Sequence, residues 1–383
     1  WQTGLESFTQ NERGVTANIK GSNGETETIE ARYLIACDGA KSLVRHSLGL
    51  EFSGSTFERM FYVADVEIDW KYGTGGLFAF LMRENLLIVF TMDDDIRYRI
   101  VGTFPEEFSK DEGDVLYEEI EAQLRKDAQI DFDITKVYWF STYKVHTRHV
   151  DKFSVGRVFL AGDSAHIHSP AGAQGMNTGI QDGYNLAWKL SCVLTERASG
   201  ELLDTYNEER LPNAVTLTQT TDRFFGLIAD PNAFMAFVRM QIFPLAAKFV
   251  SGLEAVRRFV FPRIAQIAIN YRNSSLSKNS GSFKVKAGDR MPYFLIDGKS
   301  IYDLLHEPRF HLLAFGGNGI ESTDDIFVIH NLSFTNDVSK HFGTDDPFLV
   351  LLRPDNYIGL ISNDISTTAV HTYLDKALGK VSS

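Results

Sequence analysis

The sequence predicts a mixed α/β chain: a parallel sheet interrupted by an inserted antiparallel one, then a helical segment, then a compact β/α unit at the C-terminal end. Three observations carry this. A short continuous apolar run, Tyr33–Cys37, and a second short strand-like run, Arg157–Ala161, each lead into an Asp/Gly pair, the pattern of a buried parallel strand feeding a turn. Between them, from Phe52 to about Val150, strand-like runs dominate and read as an antiparallel sheet. After a Ser- and Asn-rich stretch at Asn273–Gly281, short apolar runs and helical sequence continue to the end.

In chain order, residues 1–51 open in strand-like sequence. Val15–Lys20 is rich in β-formers, Gly21–Gly24 is a turn, and Thr26–Ala36 continues extended. Residues 52–150 form the inserted sheet, with Phe61–Trp70 and Leu77–Met92 as its clearest strands; Arg83-Glu84-Asn85 breaks the second into a hairpin. Val115, Ile120 and Leu124 recur near a helical period in an acidic helix, and Lys136–Val145 returns to strand. Residues 151–200 hold the second buried strand, a Gly-rich loop and a helix with Ile180, Tyr184, Ala187, Ser191 and Leu194 on one face, as in an amphipathic helix. Residues 201–280 continue helical, with interruptions, from Leu202 to about Tyr271, then pass through the linker-like Asn273–Gly281. Residues 281–383 form the last unit. Its strands are expected at Phe310–Phe315, Ile326–His330, Phe348–Leu352 and Tyr357–Ile361, with a turn at Pro354-Asp355-Asn356 and a helix from about Thr367 to Leu378. No internal repeat is found.

Composition narrows the function. Of 383 residues, 44% are hydrophobic and 23% charged, which excludes a disordered or low-complexity chain. Lys and Arg total 38 against 50 Asp and Glu, a formal charge of −12 that repels a phosphate backbone, and no basic patch is seen, so nucleic acid is not an expected partner. The two cysteines, Cys37 and Cys192, make neither a disulfide framework nor a zinc set; they read as small buried residues of a reducing, cytoplasmic compartment. Trp1–Gln10 lacks the features of a signal peptide. No run reaches the ~18 uncharged apolar residues of a membrane span. The best, Phe78–Met92 and Asn232–Val250, are broken by charges or by Pro244; the second reads as packed helices, with a membrane-surface face as the alternative.

Two motifs carry chemistry. The first is Asp38-Gly39-Ala40-Lys41-Ser42-Leu43-Val44-Arg45. Asp-Gly alone signals a turn. Here the turn opens a short helix with Ser42 and Arg45 one turn apart, and a strand end, a helix start and an arginine together make an anion site. The second runs from Gly162-Asp163-Ser164-Ala165-His166 through Pro170, Gly172 and Gln174 to Gly175-Met176-Asn177. Asp163 at a strand end can accept hydrogen bonds from a sugar-like hydroxyl, and Gly172 and Gly175 let backbone approach a flat ligand. The helix that follows offers free N–H groups and a positive dipole end near Gly175, Met176 and Asn177. A purely structural Gly-rich loop is the alternative. His166 and His168 lack a third histidine or a carboxylate to complete a metal set, so no metal is expected.

The pair resembles the two internal fingerprints of the flavin-dependent aromatic hydroxylases, single-component FAD monooxygenases of the p-hydroxybenzoate hydroxylase fold. The first matches at Asp38, Gly39, Lys41, Ser42 and Arg45, and in that family serves FAD and NAD(P)H binding. The second matches at Gly162, Asp163, Ala165, His166, Pro170, Gly172, Gln174, Gly175 and Asn177; Ala173 stands where glycine is frequent. The resemblance implies Asp163 at the ribityl chain of FAD, Pro170 beside the reactive edge of the isoalloxazine, and Gly175, Met176 and Asn177 at its pyrimidine edge. Asp204–Pro212 is also similar to the family. The C-terminal unit is similar to the thioredoxin-like domain of the phenol hydroxylase branch but has no cysteine, which leaves a structural role or a homodimer or domain contact.

The implied architecture is a partial FAD-binding Rossmann-like sheet with an inserted substrate sheet. The implied reaction is hydroxylation of an aromatic, phenolic small molecule. NADPH or NADH reduces the flavin, O2 adds at its C4a position, and the hydroperoxide transfers one oxygen. Pro170 is the candidate nearest the reacting position. Tyr143, His146 and His149 are candidates for a base that deprotonates a phenol, a structural role being the alternative for each. Another FAD oxidoreductase on the same fold is the rival activity, and a truncated, non-catalytic chain unable to hold FAD is the second alternative. The family's N-terminal GxGxxG unit is not found: Gly73-Thr74-Gly75-Gly76 and Gly317-Asn318-Gly319 both fail the pattern. With Trp1 first, the chain is therefore expected to be a fragment, to hold FAD weakly, and to leave the two motif strands with open apolar edges.

Overall fold

The structure, a computed structural model, describes residues 1–379 apart from 74, 82–85, 93–95, 105–114, 129–131, 170–173, 230, 231, 233, 235, 236, 243, 244, 246–253, 317 and 318. The expected turn at Arg83-Glu84-Asn85, the site residues Pro170 and Gly172, and much of Asn232–Val250 thus lie outside the described residues.

Strands β1 (Thr3–Gln10), β2 (Val15–Gly21) and β3 (Thr26–Ala31) form an antiparallel meander. Gly24, at φ +81°, turns the chain between β2 and β3 in the left-handed region open to glycine. Next come β4 (Leu34–Ala36) and helix α1 (Leu43–Ser47). The inserted sheet follows: β5 (Ser53–Trp70), β6 (Leu77–Leu81), β7 (Leu86–Thr91), β8 (Arg97–Thr103), helix α2 (Tyr117–Ala128) and β9 (Phe132–His149). The chain then enters β10 (Ser154–Val155), β11 (Val158–Leu160) and β12 (His166–Ile167).

The inserted sheet has the order β12-β9-β5-β8-β7-β6. Strand alternation sends Met60, Tyr62, Ala64 and Val66 into one core with Leu87, Val89, Tyr98, Ile100 and Ile120 of α2. Val115 is buried there too, two residues ahead of the helix that its periodicity predicts. The pairing of β12 with β9, His166 opposite His149, ties the end of this sheet to the second motif.

The motif strands are thinner than their sequence implies. β4 pairs in parallel with β11, and β11 pairs antiparallel with β10. Val158, Phe159 and Leu160 are buried, but β4 is an edge, and Ile35 on it is 44% exposed. Cys37 just beyond is exposed and Cys192 is half-buried, so the expectation of two buried cysteines fails at this edge and at the rim of the following helix.

Helices α3 (Gly175–Leu194), α4 (Asp204–Ala229) and α5 (Glu254–Ile264) make up the helical segment, with a π-helical turn at Val238–Ile242. The face of α3 marked by its apolar period points outward: Ile180, Tyr184, Ala187, Ser191 and Leu194 are all exposed. Thr178, Asp182, Asn185, Leu186, Lys189 and Val193 are buried instead. The interior side of α3 meets charged groups of α4 and of the C-terminal unit, so polar side chains turn inward.

The stretch read as a linker contains β13 (Lys278–Ser280), which pairs in parallel with β19 (Ile358–Ser362). A small hairpin, β14 (Leu295–Ile296) and β15 (Lys299–Ser300), precedes β16 (Phe310–Phe315), β17 (Phe327–Leu332) and β18 (Phe348–Leu352), giving the order β13-β19-β18-β16-β17. Helix α6 (Asn336–Phe342) was not anticipated. Thr335 caps its start, and Gly343 at φ +74° ends it. Helix α7 (Thr367–Leu378) has the predicted bounds, with Ser366 Oγ accepting from the Ala369 N–H at 3.3 Å. β16 and β18 are buried throughout. Alternation sends Leu312, Ala314, Leu349, Leu351 and Leu360 into a core shared with Val158, Leu160, Leu186 and Tyr206. Leu313, Phe315, Val350, Leu352 and Ile358 enter a second core with Phe283, Phe294, Val338 and Phe342. One face of the C-terminal sheet therefore completes the core of the motif-bearing part. Among the described residues, no helix is long and apolar enough to cross a membrane.

Candidate active site

The two motifs meet at the ends of their paired strands. After β4, Gly39 adopts φ +80°, which the turn requires. Asp38 Oδ2 accepts from the Val44 N–H at 3.3 Å, and Ser42 Oγ caps α1 by accepting from the Arg45 N–H at 3.0 Å. Arg45 is 2% exposed. Its guanidinium donates to Ala40 O at 2.7 Å and to Ser164 O at 3.1 Å, and stacks 4.0 Å above the Phe52 ring. Arg45 thus ties the first motif to the second through backbone carbonyls.

The second motif turns at Gly162, φ +62°, into a single 3-10 turn, Gly162–Ser164. Ser164 is fully buried, and its hydroxyl lies 2.7 Å from Ala36 O and 2.9 Å from Ala161 O. Gly179 of α3 sits against the turn: a Cβ there would come within 3.3 Å of Gly162 Cα. Asp163, by contrast, is exposed, and takes no hydrogen bond from the described residues. The start of α3 has no side-chain cap and no acidic residue in its first turn, and Met176 and Asn177 there are exposed. Free N–H groups and a positive dipole end therefore face outward beside an exposed carboxylate, a surface suited to a polar ligand with a hydroxyl chain and an anionic ring.

Behind this surface lies a buried charged network. Asp182 of α3 accepts from the Gly162 N–H at 3.0 Å, from His166 Nε2 at 2.7 Å and from Arg210 Nε at 2.6 Å. Arg210 also donates to Thr178 O at 3.1 Å and to the Tyr271 hydroxyl at 2.9 Å. Burial alone would push the Asp182 carboxyl up, but Arg210 and His166 outweigh it and hold it below the usual carboxylate range. Next along α4, Glu209 receives Arg353 at 2.5 and 3.0 Å, Lys189 at 2.8 Å, Asn185 at 2.7 Å and Ser274 at 2.7 Å. Asp355 receives Arg353 at 3.0 and 2.5 Å and Trp188 Nε1 at 3.0 Å. Burial would raise the Glu209 carboxyl; Arg353 and Lys189 reverse this and drive it far down. Lys189 moves the other way, lowered by burial to about 8. Sequence reasoning singled out Asp204–Pro212 and so reached Glu209 and Arg210, but missed Asp182, Lys189 and Arg353; a lone charge within the apolar run Leu186–Leu190 was the signal for Lys189.

The proposed bases are scattered. Tyr143 stacks on Phe61 with ring centroids 5.7 Å apart, and burial pushes its phenol up. His146 Nδ1 is 2.8 Å from Thr56 Oγ1. Three residues apart on β9, Tyr143 and His146 lie on opposite faces of the sheet. His149 is lowered by burial and by the nearby His166. His168 rests Nδ1 on Ser169 O at 2.9 Å, while its buried Nε2 has no partner. Among the described residues, no group of three or more His, Cys, Asp or Glu could hold a metal.

Comparison with known proteins agrees with this geometry. A family profile described as FAD binding domain matches residues 1–221. The chain is 33% identical to a flavin-dependent monooxygenase of Mycobacteroides abscessus over 93% of its own length and 69% of the relative's. It is 30% identical to the rifampicin monooxygenase of Streptomyces venezuelae, over 92% of this chain and 70% of that one. The aromatic hydroxylase CabE of angucycline biosynthesis superposes with a TM-score of 0.78 at 27% identity, covering 99% of this chain and 76% of that one. The OxyS anhydrotetracycline hydroxylase from Streptomyces rimosus gives 0.75 at 26% identity, with 99% and 75% covered. Two motifs joined at their strand ends, an inserted antiparallel sheet and these matches converge: the chain belongs to the FAD-binding family of flavin-dependent aromatic monooxygenases.

Proposed function

We propose that the chain serves hydroxylation of a phenolic small molecule, with FAD as cofactor and NADPH or NADH as reductant. The observation that carries this reading is exposed Asp163 beside the uncapped start of α3, within the stretch that matches an FAD-binding family. The residues present suit FAD. A carboxylate that takes no hydrogen bond from the described residues can accept from the ribityl hydroxyls, and the N–H groups of the first turn of α3 at Gly175, Met176 and Asn177 can meet the anionic edge of the ring. FAD, when bound, supplies the electron transfer and the activation of O2. The protein's part is to bind, orient and exclude water. Arg45, Ser42 and Ser164 hold Asp38, Gly39, Gly162 and Asp163 in register by joining the two turns. Pro170 and Gly172 are carried from the family motif alone.

Relatives named for pentachlorophenol, anhydrotetracycline and 3-(3-hydroxyphenyl)propionate support an aromatic substrate. Tyr143, its phenol raised by burial, keeps its proton at neutral pH and would donate to a bound phenolate rather than act as base. We read the C-terminal unit as thioredoxin-like; its parallel β16–β17 pair beside the antiparallel β18–β19 pair supports that reading.

Asp163→Ala tests the site. Loss of charge-assisted hydrogen bonds worth ~1.5–3 kcal/mol should weaken FAD binding about tenfold or more. An unchanged dissociation constant, measured by flavin fluorescence, would remove Asp163 from the site. The activity is tested by NADPH and NADH consumption across a panel of phenols: hydroxylated product supports the reading, and peroxide alone points to an oxidase.

A further inference from the structure

We propose that Asp182 is the positioning residue of the flavin turn, and that the C-terminal turn at Arg353–Asp355 is its remote anchor. The inference rests on the reading of Gly162–Asp163 as the flavin site.

Three contacts place Asp182 there. Its Oδ2 accepts the Gly162 N–H, the amide that precedes Asp163, at 3.0 Å. The same oxygen lies 2.7 Å from His166 Nε2, on the far side of the 3-10 turn. One carboxylate oxygen thus holds both ends of the turn that presents Asp163. Oδ1 is held in turn by Arg210 Nε at 2.6 Å, so the carboxylate cannot rotate without breaking an ion pair. All three side chains are 0–2% exposed, and water does not compete. Nε2 of His166 faces a carboxylate that can only accept, which assigns a proton to Nε2 and makes His166 the donor. This arrangement touches neither substrate nor cofactor; it acts through Gly162.

The anchor is one helical turn further along. Asn185 and Trp188 of α3 donate to Glu209 and Asp355, and Arg353 spans both carboxylates. Tyr271, which accepts from Arg210, packs against Tyr357 with ring centroids 4.3 Å apart and planes tilted by 39°. The β18–β19 turn of the C-terminal unit therefore grips α3 and α4 close to the point where Asp182 and Arg210 grip the flavin turn. A C-terminal unit without cysteine gains a role here: it sets the seat of the helix that orients the site.

Hydrogen exchange on the full chain, with and without FAD, tests this. Asp182→Asn keeps the shape and loses the charge. We expect exchange of the peptide 158–169 to accelerate tenfold or more in flavin-free protein, while peptides 310–315 and 348–352 stay protected. FAD should bind about tenfold more weakly, with shifted absorption maxima of the bound flavin, and Asp182→Glu should restore part of both. Arg353→Met should accelerate the same 158–169 peptide by a smaller factor. A folded Asp182→Asn protein with parental exchange at 158–169 overturns the proposal. If Asp182→Asn does not fold, Arg210→Lys reads the same peptide, and parental exchange there overturns it equally. Should the parent chain bind FAD too weakly to measure, in line with the weak binding expected of it, the exchange comparison alone decides the positioning role.

Discussion

The C-terminal sheet and the α3–α4 pair are buried to the same depth with opposite chemistry. In β18 every residue of Phe348–Leu352 is buried and every one is apolar. On α3 the buried face carries Asp182, Asn185 and Lys189, answered by Glu209 and Arg210 of α4 and by Arg353. Hydrocarbon burial is non-directional and tolerates adjustment, whereas a buried charge must meet its partner in one geometry. The difference teaches where each region is vulnerable. The sheet loses stability in proportion to the volume removed, while the ion network fails when one charge is left alone. The ionic region is also the one that touches the Gly162–Ser164 turn, so fixed geometry is found at the turn we propose for the flavin.

The sharpest break of this comparison is Glu209→Ala. It leaves Lys189 without its buried carboxylate partner and Arg353 with Asp355 alone, and should cost roughly 3–5 kcal/mol. Denaturant unfolding would show it; a loss under about 1 kcal/mol would mean the network is hydrated or slack. The same carboxylate, held far below its usual range, contributes stability that is present above the ordinary carboxylate pKa and lost as pH falls through the native value.

Leu351→Ala is the apolar counterpart. Leu351 is fully buried in the shared core, and its truncation should cost about 3 kcal/mol through lost transfer energy and a residual cavity. If this change also accelerates exchange at 158–169 as strongly as Asp182→Asn does, the two regions are not distinct in their effect on the site.

The smallest effect concerns Lys189. Below pH 8 both folded and unfolded chains hold its proton, and the burial penalty is full. Between about 8 and 10.5 the unfolded chain still binds a proton that the folded one has released, so this group makes stability rise with pH, by up to about 1 kcal/mol per unit. Lys189→Met should flatten that rise in a melting series from pH 7.5 to 10.5. An unchanged slope would show that Lys189 keeps its proton throughout.

Much of the fold was legible. The bounds expected for α7, about Thr367 to Leu378, hold, and the apolar runs at β16 and β18, the first broken by His311 alone, are the strands expected there. The two motif turns were legible because a chain that turns at a strand end with positive φ favours glycine, as Gly39 and Gly162 do. Helix α6 was missed although Thr335 and Gly343 flank it, because its seven residues hold too little periodicity to be seen. The shared face of Ile180, Tyr184 and Leu194 on α3 was legible but its direction was not: it points outward because the interior beside α3 is charged.

By itself, the sequence determined the α/β class, the inserted antiparallel sheet, the order of the two motifs and their likeness to flavin hydroxylases, since each rests on local period or on a short run of residue types. Tertiary structure alone decided the rest. It joined Arg45 to Ser164, set Tyr143 and His146 on opposite faces, and brought Arg353 to Glu209 from 144 residues away. A charge in a sequence shows no partner, and whether it is solvated, costly or structural depends on what the fold places within about 3 Å of it.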